Sequence, residues 1–485
     1  MKEMGKYLDR ELYQYGRGQT YPFHMPGHKR QAVTPYLTDP WKEDITEITG
    51  FDNLHHPEGI LLEAQRRAAR LYGAEETHFL VNGSTAGILC AIGACAPSGR
   101  ILMARNSHRA AYHALSLNRL EAVWLYPGKF VPEGETEAWE ELNGPLLAAD
   151  ADAALEACPD VRAVFITSPT YDGVCSDVAA IARAAHRRGL PLIVDGAHGA
   201  HFGMHPLFPE NAVRQGADLV IHSLHKTLPA PTQTALLHVQ GDRVDRRRLR
   251  RLLAVYQTSS PSYVLMAGID RCVGLLEREK DWLFGELAGN LDWFRRETGN
   301  LEILRLPKSD DPSKILISAE RAGLTGLEIQ KFLREEARLE LEMAAGSYAL
   351  ALTSVGDDRE GFVRLATALG QLEERLKREK REGRSRKQQS GKFAGYFKNQ
   401  TAMSISRAEE SPQQQVLLEE SLGLISGEYI FRYPPGVPLA VPGERIGSQL
   451  LEQILRERDL GYDIQGPEDP GMRRLWTVKE ERRLL

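Results

Sequence analysis

The sequence predicts an α/β protein whose largest domain is built on a mostly parallel sheet of about seven strands. Three short apolar runs, at residues 192–194, 218–221 and 234–239, are rich in Val, Ile and Leu and are bounded by Gly, Pro or polar clusters. Such runs are typical of strands that are covered on both faces. Strands alternate with helical stretches from residue 77 to residue 239, which indicates a doubly wound domain.

The predicted elements follow one another along the chain. A short amphipathic helix is expected within residues 1–20. The strands of the large domain are expected from residue 77 and at 101–104, 122–126, 163–167, 192–194, 218–221 and 234–239. Helices are expected at 60–71, 86–96, 178–188, 242–251 and 264–298. A smaller α+β unit is predicted from a strand at 314–318, a capping box at 325–328 that opens a helix, and strands near 348–353 and 362–366.

Composition shifts predict the domain boundaries. Residues 376–392 are almost all charged or polar, which is typical of a solvated helix end and a tether. The predicted units are an N-terminal arm with active-site loops (1–60), a large domain (61–300), a small α+β domain (301–375), a linker (376–395) and a C-terminal domain (396–485).

Composition also limits the class of function. The 485 residues are 42% apolar and 26% charged, with a formal net charge of −5, so nothing indicates nucleic-acid binding. Five cysteines without a C-x-x-C pair predict reduced thiols and no zinc site. No apolar run reaches about 18 residues, so no membrane span is expected. We expect a cytoplasmic enzyme.

Asp195 and Lys226 carry the main chemical prediction. Asp195 ends one apolar run and Lys226 follows the next, and the carboxyl ends of strands are where ligands bind in open α/β sheets. A partly desolvated lysine has a lowered pKa and can form a Schiff base with an aldehyde. A carboxylate in the same pocket keeps a pyridine nitrogen protonated. The pair therefore predicts pyridoxal phosphate chemistry, although most lysines lie on the surface.

Ser84 and Thr85 are candidate phosphate ligands. They lie at the first turn of a predicted helix, where unpaired N–H groups and the helix dipole favour an anion. The alternative is that Ser84 only caps the helix. No Walker-type motif is present, so a nucleotide is not expected.

Several histidines and hydroxyls have two interpretations each. His108 follows a strand, where its ring could stack on a flat cofactor or simply begin a helix. The run Asp195, His198, His201, His205 could bind a metal, but glycines interrupt it, so no helical face presents the ligands and no metal is expected. Hydroxyls within 256–263 could reach a phosphate, including that of a partner subunit, or could cap the following helix. Residues 21–30, which include His24, His28 and Lys29, could form an arm across the pocket mouth or could be an ordinary loop with polar side chains.

The chain resembles the Orn/Lys/Arg decarboxylase family, in its short bacterial form. The motifs that carry the resemblance are FHMPGHK at 23–29, DITE at 44–47, NGST at 82–85, RNSH at 105–108, DGAHG at 195–199, HSLHK at 222–226, YPPG at 433–436 and PGE at 442–444. The resemblance implies a fold type I, aspartate aminotransferase-like enzyme with pyridoxal 5′-phosphate. It also implies a homodimer or higher homo-oligomer with the site at the interface, and cytoplasmic polyamine biosynthesis.

The resemblance also implies residue roles. Lys226 would hold the cofactor, Asp195 would pair with its ring nitrogen and His108 would stack on the ring. The phosphate and its surroundings would be held by Ser84, Thr85, Ser223 and His225, and the cofactor-binding set would further include Ala86, Ala197 and His198. Either His225 or Lys226 would return a proton to the substrate.

The reaction implied is decarboxylation of a basic amino acid, with arginine, giving agmatine, favoured over lysine and ornithine. Glu444 is a candidate for binding the distal cation. Arg30 and Arg432 depart from the family pattern, which leaves the substrate open. The alternatives are an aminotransferase, in which Arg364 or Arg432 would grip the α-carboxylate, and a non-catalytic cofactor-binding protein.

Overall fold

The structure is a computed structural model that describes residues 19–29, 44–383, 394–433 and 436–480. Most of the helix predicted within residues 1–20, the departure at Arg30 and the tether residues 384–393 lie outside the described residues. Among the described residues, no helix combines the length and apolarity that a membrane crossing requires.

Seventeen strands are formed by the described residues. They are β1 (Tyr21–Phe23), β2 (Glu76–Leu80), β3 (Arg100–Ala104), β4 (Glu121–Leu125), β5 (Val161–Thr167), β6 (Leu192–Asp195), β7 (Leu219–Ser223), β8 (Ala235–Val239), β9 (Lys314–Ile317), β10 (Leu339–Leu341), β11 (Met343–Ala344), β12 (Ala349–Leu352), β13 (Gln413–Leu417), β14 (Ile430–Arg432), β15 (Pro438–Ala440), β16 (Ile464–Gln465) and β17 (Arg474–Val478).

The α-helices of the described residues are α1 (Ile60–Tyr72), α2 (Gly83–Cys95), α3 (Arg109–Leu117), α4 (Ala148–Ala157), α5 (Val178–His186), α6 (Leu224–Thr227), α7 (Arg246–Tyr256), α8 (Tyr263–Glu297), α9 (Gly326–Ala337), α10 (Arg359–Arg381), α11 (Ile405–Glu410) and α12 (Ser448–Asp459). The predicted capping box is present, because Thr325 accepts from the Glu328 N–H and Glu328 accepts from the Thr325 N–H.

The large sheet has the predicted seven strands, in the order β2-β8-β7-β6-β5-β3-β4. Only β8 runs antiparallel to its neighbours β2 and β7, so the sheet is mostly parallel. Every residue of β6, β7 and β8 is buried, which explains their continuous apolar sequences. The predicted α/β class is therefore confirmed.

Helices cover both faces of this sheet. Apolar residues of α2, α3 and α7 share one core with it, whereas residues of α4 and α5 share a second. A third core joins α1 and α8 to the smaller α+β unit, in which β9, β12 and β11 form an antiparallel sheet. This arrangement buries the strands and leaves their carboxyl ends facing the smaller units.

One predicted strand is wrong. Residues 362–366 lie in the long helix α10, which Asp358 caps by accepting from the Gly361 N–H at 3.0 Å. Apolar residues buried along this helix recur every three or four positions: Phe362, Leu365, Leu369, Leu372 and Leu376. A five-residue window was too short to separate this helical period from strand alternation. The helix continues to Arg381, into the charged segment.

The C-terminal unit has a small core of its own. It contains the antiparallel pair β13–β17 and the three-stranded sheet β15-β14-β16, and α12 packs beside them. Its β14 ends at Arg432, next to the large domain.

Candidate active site

The carboxyl ends of β6 and β7 place Asp195 and Lys226 in one pocket. Asp195 is the last residue of β6 and lies opposite Ile221 of the neighbouring parallel strand β7. Lys226 lies in the short helix α6 that follows β7. Both side chains line a cavity of about 390 Å³. Residues 31 positions apart in sequence therefore face the same space.

Four parts of the chain form this pocket, here called the central pocket. It is lined by Met25, Pro26, Gly83, Ser84, Thr85, Ile88, His108, Tyr171, Asp195, Ala197, Ser223, His225, Lys226, Thr232, Glu342 and Tyr433. A larger cavity, of about 550 Å³, lies beside α1 and α7 and includes none of the predicted cofactor residues. Its Arg246 and Arg250 are paired with Glu75 and Glu76, so these guanidinium charges are already neutralised.

Burial makes the amine of Lys226 less basic. Burial lowers its pKa to about 8, although Asp195 and Glu342 oppose the shift. Its Nζ lies 2.8 Å from Nε2 of His198. At neutral pH a much larger share of this amine is unprotonated than for a lysine in solvent.

Asp195 is buried at the base of the pocket. One carboxylate oxygen accepts from the Ala197 N–H at 3.1 Å. Burial raises the pKa of Asp195, while Lys226 and this N–H act in the opposite direction. The carboxylate is thus held in a place where a cationic ring nitrogen would stabilise its charge.

The hydroxyls predicted to bind a phosphate meet at the start of α2. Ser84 and Ser223 are hydrogen-bonded through their hydroxyl oxygens, and Thr85 follows on the same helical turn. The N-cap position belongs to Asn82, whose side chain makes no capping bond, so Ser84 is not the cap. A helix of this length with uncapped N–H groups and adjacent hydroxyls favours an anion.

Two predicted cofactor residues lie outside the pocket lining. Ala86 is buried within α2. Nε2 of His198 lies 2.8 Å from Nζ of Lys226, and the ring of His198 packs against that of Tyr171, with ring centroids 4.4 Å apart.

His108 and His225 are neutral and have opposite tautomers. Nδ1 of His108 accepts from the Ala110 N–H at 3.2 Å, so its proton is on Nε2. Nδ1 of His225 lies 3.0 Å from the carbonyl oxygen of Thr234 and therefore donates, which leaves Nε2 as an acceptor. Burial lowers the pKa of His108 to about 3 and that of His225 to about 4.

The remaining histidines of the interrupted run have separate partners. Nε2 of His201 lies 3.1 Å from Asp311, and Nδ1 of His205 accepts from the Leu207 N–H. Among the described residues, no group of three or more possible ligands is placed to hold a metal ion.

Residues 21–29 reach the central pocket, which Met25 and Pro26 line. The Gly27 N–H donates to the carbonyl oxygen of His225 at 2.7 Å, and a Cβ at Gly27 would lie 2.8 Å from the Leu228 nitrogen. Only glycine permits this close approach. Lys29 is buried, where it donates to the carbonyl oxygen of Leu352 at 2.6 Å. The segment is therefore fixed to both the α6 turn and the smaller unit.

Glu342 is the pocket residue that sequence reasoning missed. It lies between β10 and β11, in a region without a recognised motif, and nothing in its local sequence marks it. One oxygen accepts from the Met25 N–H at 2.7 Å and the other from the Tyr171 hydroxyl. It gives the central pocket a second carboxylate, beside Asp195.

Three residues proposed for the substrate lie elsewhere. Glu444 is only 1% exposed and is paired with Arg105 at 3.0 Å, so the expectation that it binds the distal cation is wrong. Arg432 is bonded to acidic side chains outside the pocket. Arg364 donates to backbone carbonyl oxygens, including that of Ala337 at 3.1 Å. None of the described residues that line the central pocket is an arginine.

The hydroxyl cluster after α7 caps the next helix. Ser262 accepts from the Leu265 N–H at the start of α8, as the capping interpretation predicts. Thr258, Ser259 and Ser260 are exposed and lie outside the central pocket of this chain. Contact with a partner's phosphate stays a prediction.

Comparison with known proteins confirms the predicted family. The Orn/Lys/Arg decarboxylase major domain matches residues 7–286, and the Orn/Lys/Arg decarboxylase C-terminal domain matches residues 393–458. The chain is 31% identical to the uncharacterized protein YaaO of Bacillus subtilis, with 95% of each chain covered. It is 29% identical to the arginine decarboxylase of the same organism, with 97% of each covered. The structure of Escherichia coli constitutive lysine decarboxylase has a TM-score of 0.75 at 20% identity, over 97% of this chain and 81% of that one.

Proposed function

This chain belongs to the Orn/Lys/Arg decarboxylase family, and on that premise we propose that it uses pyridoxal phosphate to release carbon dioxide from arginine, giving agmatine. Lysine and ornithine are the alternative substrates. The observation that carries the proposal is the central pocket, which combines the Lys226–Asp195 pair with a second carboxylate, Glu342.

The residues of the pocket fit the cofactor. Lys226 would hold its aldehyde carbon, Asp195 its ring nitrogen and His108 one face of its ring. The hydroxyls of Ser84, at the start of α2, and of Ser223, at the end of β7, would hold the phosphate. When bound, the cofactor supplies a protonated ring that accepts the electrons of the bond to the departing carboxylate.

Lys226 is the better of the two candidate proton donors. Nε2 of His225 carries no proton, because the ring proton is on Nδ1. Burial also opposes a positive charge on the ring, so His225 has no proton to donate to the substrate. A released Lys226 with a pKa of about 8 is mostly protonated at neutral pH and still acidic enough to give a proton to Cα. We therefore assign the proton transfer to Nζ of Lys226.

Glu342 would bind the distal cation of the substrate. Each of its oxygens accepts one hydrogen bond from the protein and keeps a further lone pair. A guanidinium can donate two parallel hydrogen bonds to a carboxylate, which suits arginine. The arginine decarboxylase similar to this chain over nearly its full length supports the same choice.

Decarboxylation is favoured over transamination by the absence of a clamp. An aminotransferase needs a cation that holds the α-carboxylate so that the Cα–H bond breaks instead. Arg364 and Arg432 are engaged elsewhere, and no arginine is among the described lining residues. The described lining residues therefore include no arginine that would hold the α-carboxylate in place, so this group can depart.

Carbon dioxide release from purified, cofactor-loaded protein tests the proposal. Arginine, lysine and ornithine are offered in turn to the wild type, to Lys226→Ala and to Lys129→Ala, a matched variant of an exposed lysine. Release from arginine that only Lys226→Ala abolishes is expected. Ketoacid formation without carbon dioxide would show a transaminase. An absorbance of the bound cofactor that no amino acid perturbs would indicate a non-catalytic protein.

A further inference from the structure

A buried ion cluster joins three parts of the chain outside the central pocket. The guanidinium of Arg432 donates to Glu141 at 2.7 Å through Nη1 and to Glu457 at 3.2 Å through Nε, and Nη2 makes a second bond to Glu457. The side chains of Glu141 and Glu457 are 3% and 0% exposed. Glu141 belongs to a loop of the large domain, whereas Arg432 and Glu457 belong to the C-terminal unit. This set is called the Arg432 cluster below.

The cluster holds the hairpin that begins at Glu342. The carboxylate of Glu141 also accepts from the Gly346 N–H and from the Ser347 N–H, each at 2.8 Å. These two residues form the turn between β11 and β12. Glu342 directly precedes β11, and its own N–H donates to the carbonyl oxygen of Leu350 at 3.0 Å. The position of the Glu342 carboxylate is thus connected to Glu141 through one short hairpin.

Arg432 itself lies directly before Tyr433, a residue of the central pocket. Arg432 is the last residue of β14, and Tyr433, which lines the central pocket, follows it directly. The Tyr433 N–H donates to the carbonyl oxygen of Asp463 at 3.0 Å, and the Gly436 N–H donates to that of Arg432 at 2.9 Å. Tyr433 and Glu342 are the pocket residues contributed from outside the large domain and the arm. Tyr433 directly follows Arg432 in the chain, and Glu342 is connected to Glu141 through the hairpin.

Only arginine fits the centre of this cluster. The planar guanidinium donates from Nη1 to Glu141. Its Nε and Nη2 donate two parallel hydrogen bonds to the two carboxylate oxygens of Glu457. A lysine carries a single compact ammonium group and cannot hold both carboxylates in the same geometry. Arg432 touches neither the cofactor residues nor the central pocket, so its effect on the reaction would pass through Glu342 and Tyr433.

We propose that Arg432 is a positioning residue for substrate recognition: through Glu141 and Glu457 it sets the placement of Glu342 and Tyr433 against the cofactor-binding face of the pocket. The inference rests on the proposed function, because it assigns Glu342 to the distal cation. It predicts that the cluster controls substrate binding and the discrimination of charge at the distal end, and leaves the Lys226–Asp195 chemistry intact.

The test compares Arg432→Lys with Arg458→Lys in the loaded, full-length protein. Arg458 is a matched control, because it lies on α12 next to Glu457 and pairs with Glu419 at the surface. For Arg432→Lys we expect KM for arginine to rise about tenfold or more, kcat to change less than about threefold and cofactor absorbance to be retained. Preference for arginine over citrulline, its neutral isostere, should fall. Arg458→Lys should match the wild type.

Two results would overturn the inference. One is a lowered thermal midpoint with KM and the arginine preference unchanged, which is a purely structural effect. The other is an equal loss of kcat and of bound cofactor. If Arg432→Lys does not fold, Glu457→Gln removes one charge and is judged by the same readouts. If the wild type releases no carbon dioxide, the proposed function fails, but titration of the amino-acid-induced absorbance change still measures whether the variant binds more weakly.

Discussion

Replacing Glu342 with Gln tests the assignment of the substrate pocket most directly. The change removes the negative charge and keeps the shape, and a carbonyl oxygen remains to accept from the Met25 N–H or the Tyr171 hydroxyl. The change affects both the distal cation of the substrate and the amine of Lys226. The distal cation loses its carboxylate, and the pKa of Lys226, which burial lowers and Glu342 raises, falls further.

The size of the effect follows from the bond that is lost. A hydrogen bond to a charged group contributes about 1.5–3 kcal/mol net. Because each 1.4 kcal/mol is about a tenfold change, kcat/KM for arginine should fall about 10- to 150-fold. Citrulline has no charge to lose, so its kcat/KM should change far less. The rate of carbon dioxide release at several concentrations of each substrate gives both values.

Glu340→Gln is the matched control for this experiment. Glu340 lies two residues earlier, on β10, and its carboxylate is 3.9 Å from Arg334 outside the pocket. It should leave kcat/KM unchanged for both substrates. Equal losses for arginine and citrulline in Glu342→Gln, or no loss for either, would refute the role of Glu342 in binding the distal cation.

Three further predictions concern the cofactor and the C-terminal unit. The rate at which cofactor-free protein takes up pyridoxal phosphate should rise with pH, reach half its maximum at about pH 8, where half of the Lys226 amine is neutral, and level off about one pH unit higher; a midpoint at about pH 10 in stopped-flow absorbance would contradict this. Asp195→Asn should weaken cofactor binding about 10- to 100-fold through loss of a charge-assisted bond, measured by equilibrium dialysis, and unchanged affinity would remove Asp195 from the ring nitrogen. Glu444→Gln should lower the free energy of unfolding by about 3–5 kcal/mol, since Arg105 would stay buried without its carboxylate, and a urea midpoint equal to that of the wild type would be against it.

Local sequence determined the large domain and its chemical centre. Apolar runs bounded by turn residues located the strands, and the position of Lys226 and Asp195 at strand ends was enough to place both in one pocket. The hydroxyls of Ser84 and Thr85 could be assigned to a helix start for the same reason. Each element was located from residues a few positions apart, where backbone periodicity decides the outcome. The common carboxyl edge of neighbouring strands then placed Asp195 and Lys226 together.

The short window at 362–366 and contacts between distant parts of the chain were beyond this reasoning. Residues 362–366 appeared as a strand because their neighbours in α10, up to Arg381, carry the helical period. Glu444 lies in the PGE motif and Arg432 directly precedes the YPPG motif. Neither motif indicated that these residues pair with buried partners far away in sequence, which are Arg105 for Glu444 and Glu141 for Arg432.

The Glu342 side of the central pocket was decided by tertiary structure alone. Glu342 reaches it because β10 pairs with β1 of the arm, which brings the Met25 N–H to its carboxylate from 317 positions away. A charged residue near a short strand is solvated in most proteins, and only packing against Tyr171 and the arm turns this one toward the pocket. Local sequence determines which residues lie at strand ends and helix starts, because those positions depend on neighbours along the chain. Charge pairing between separate units depends on how those units pack.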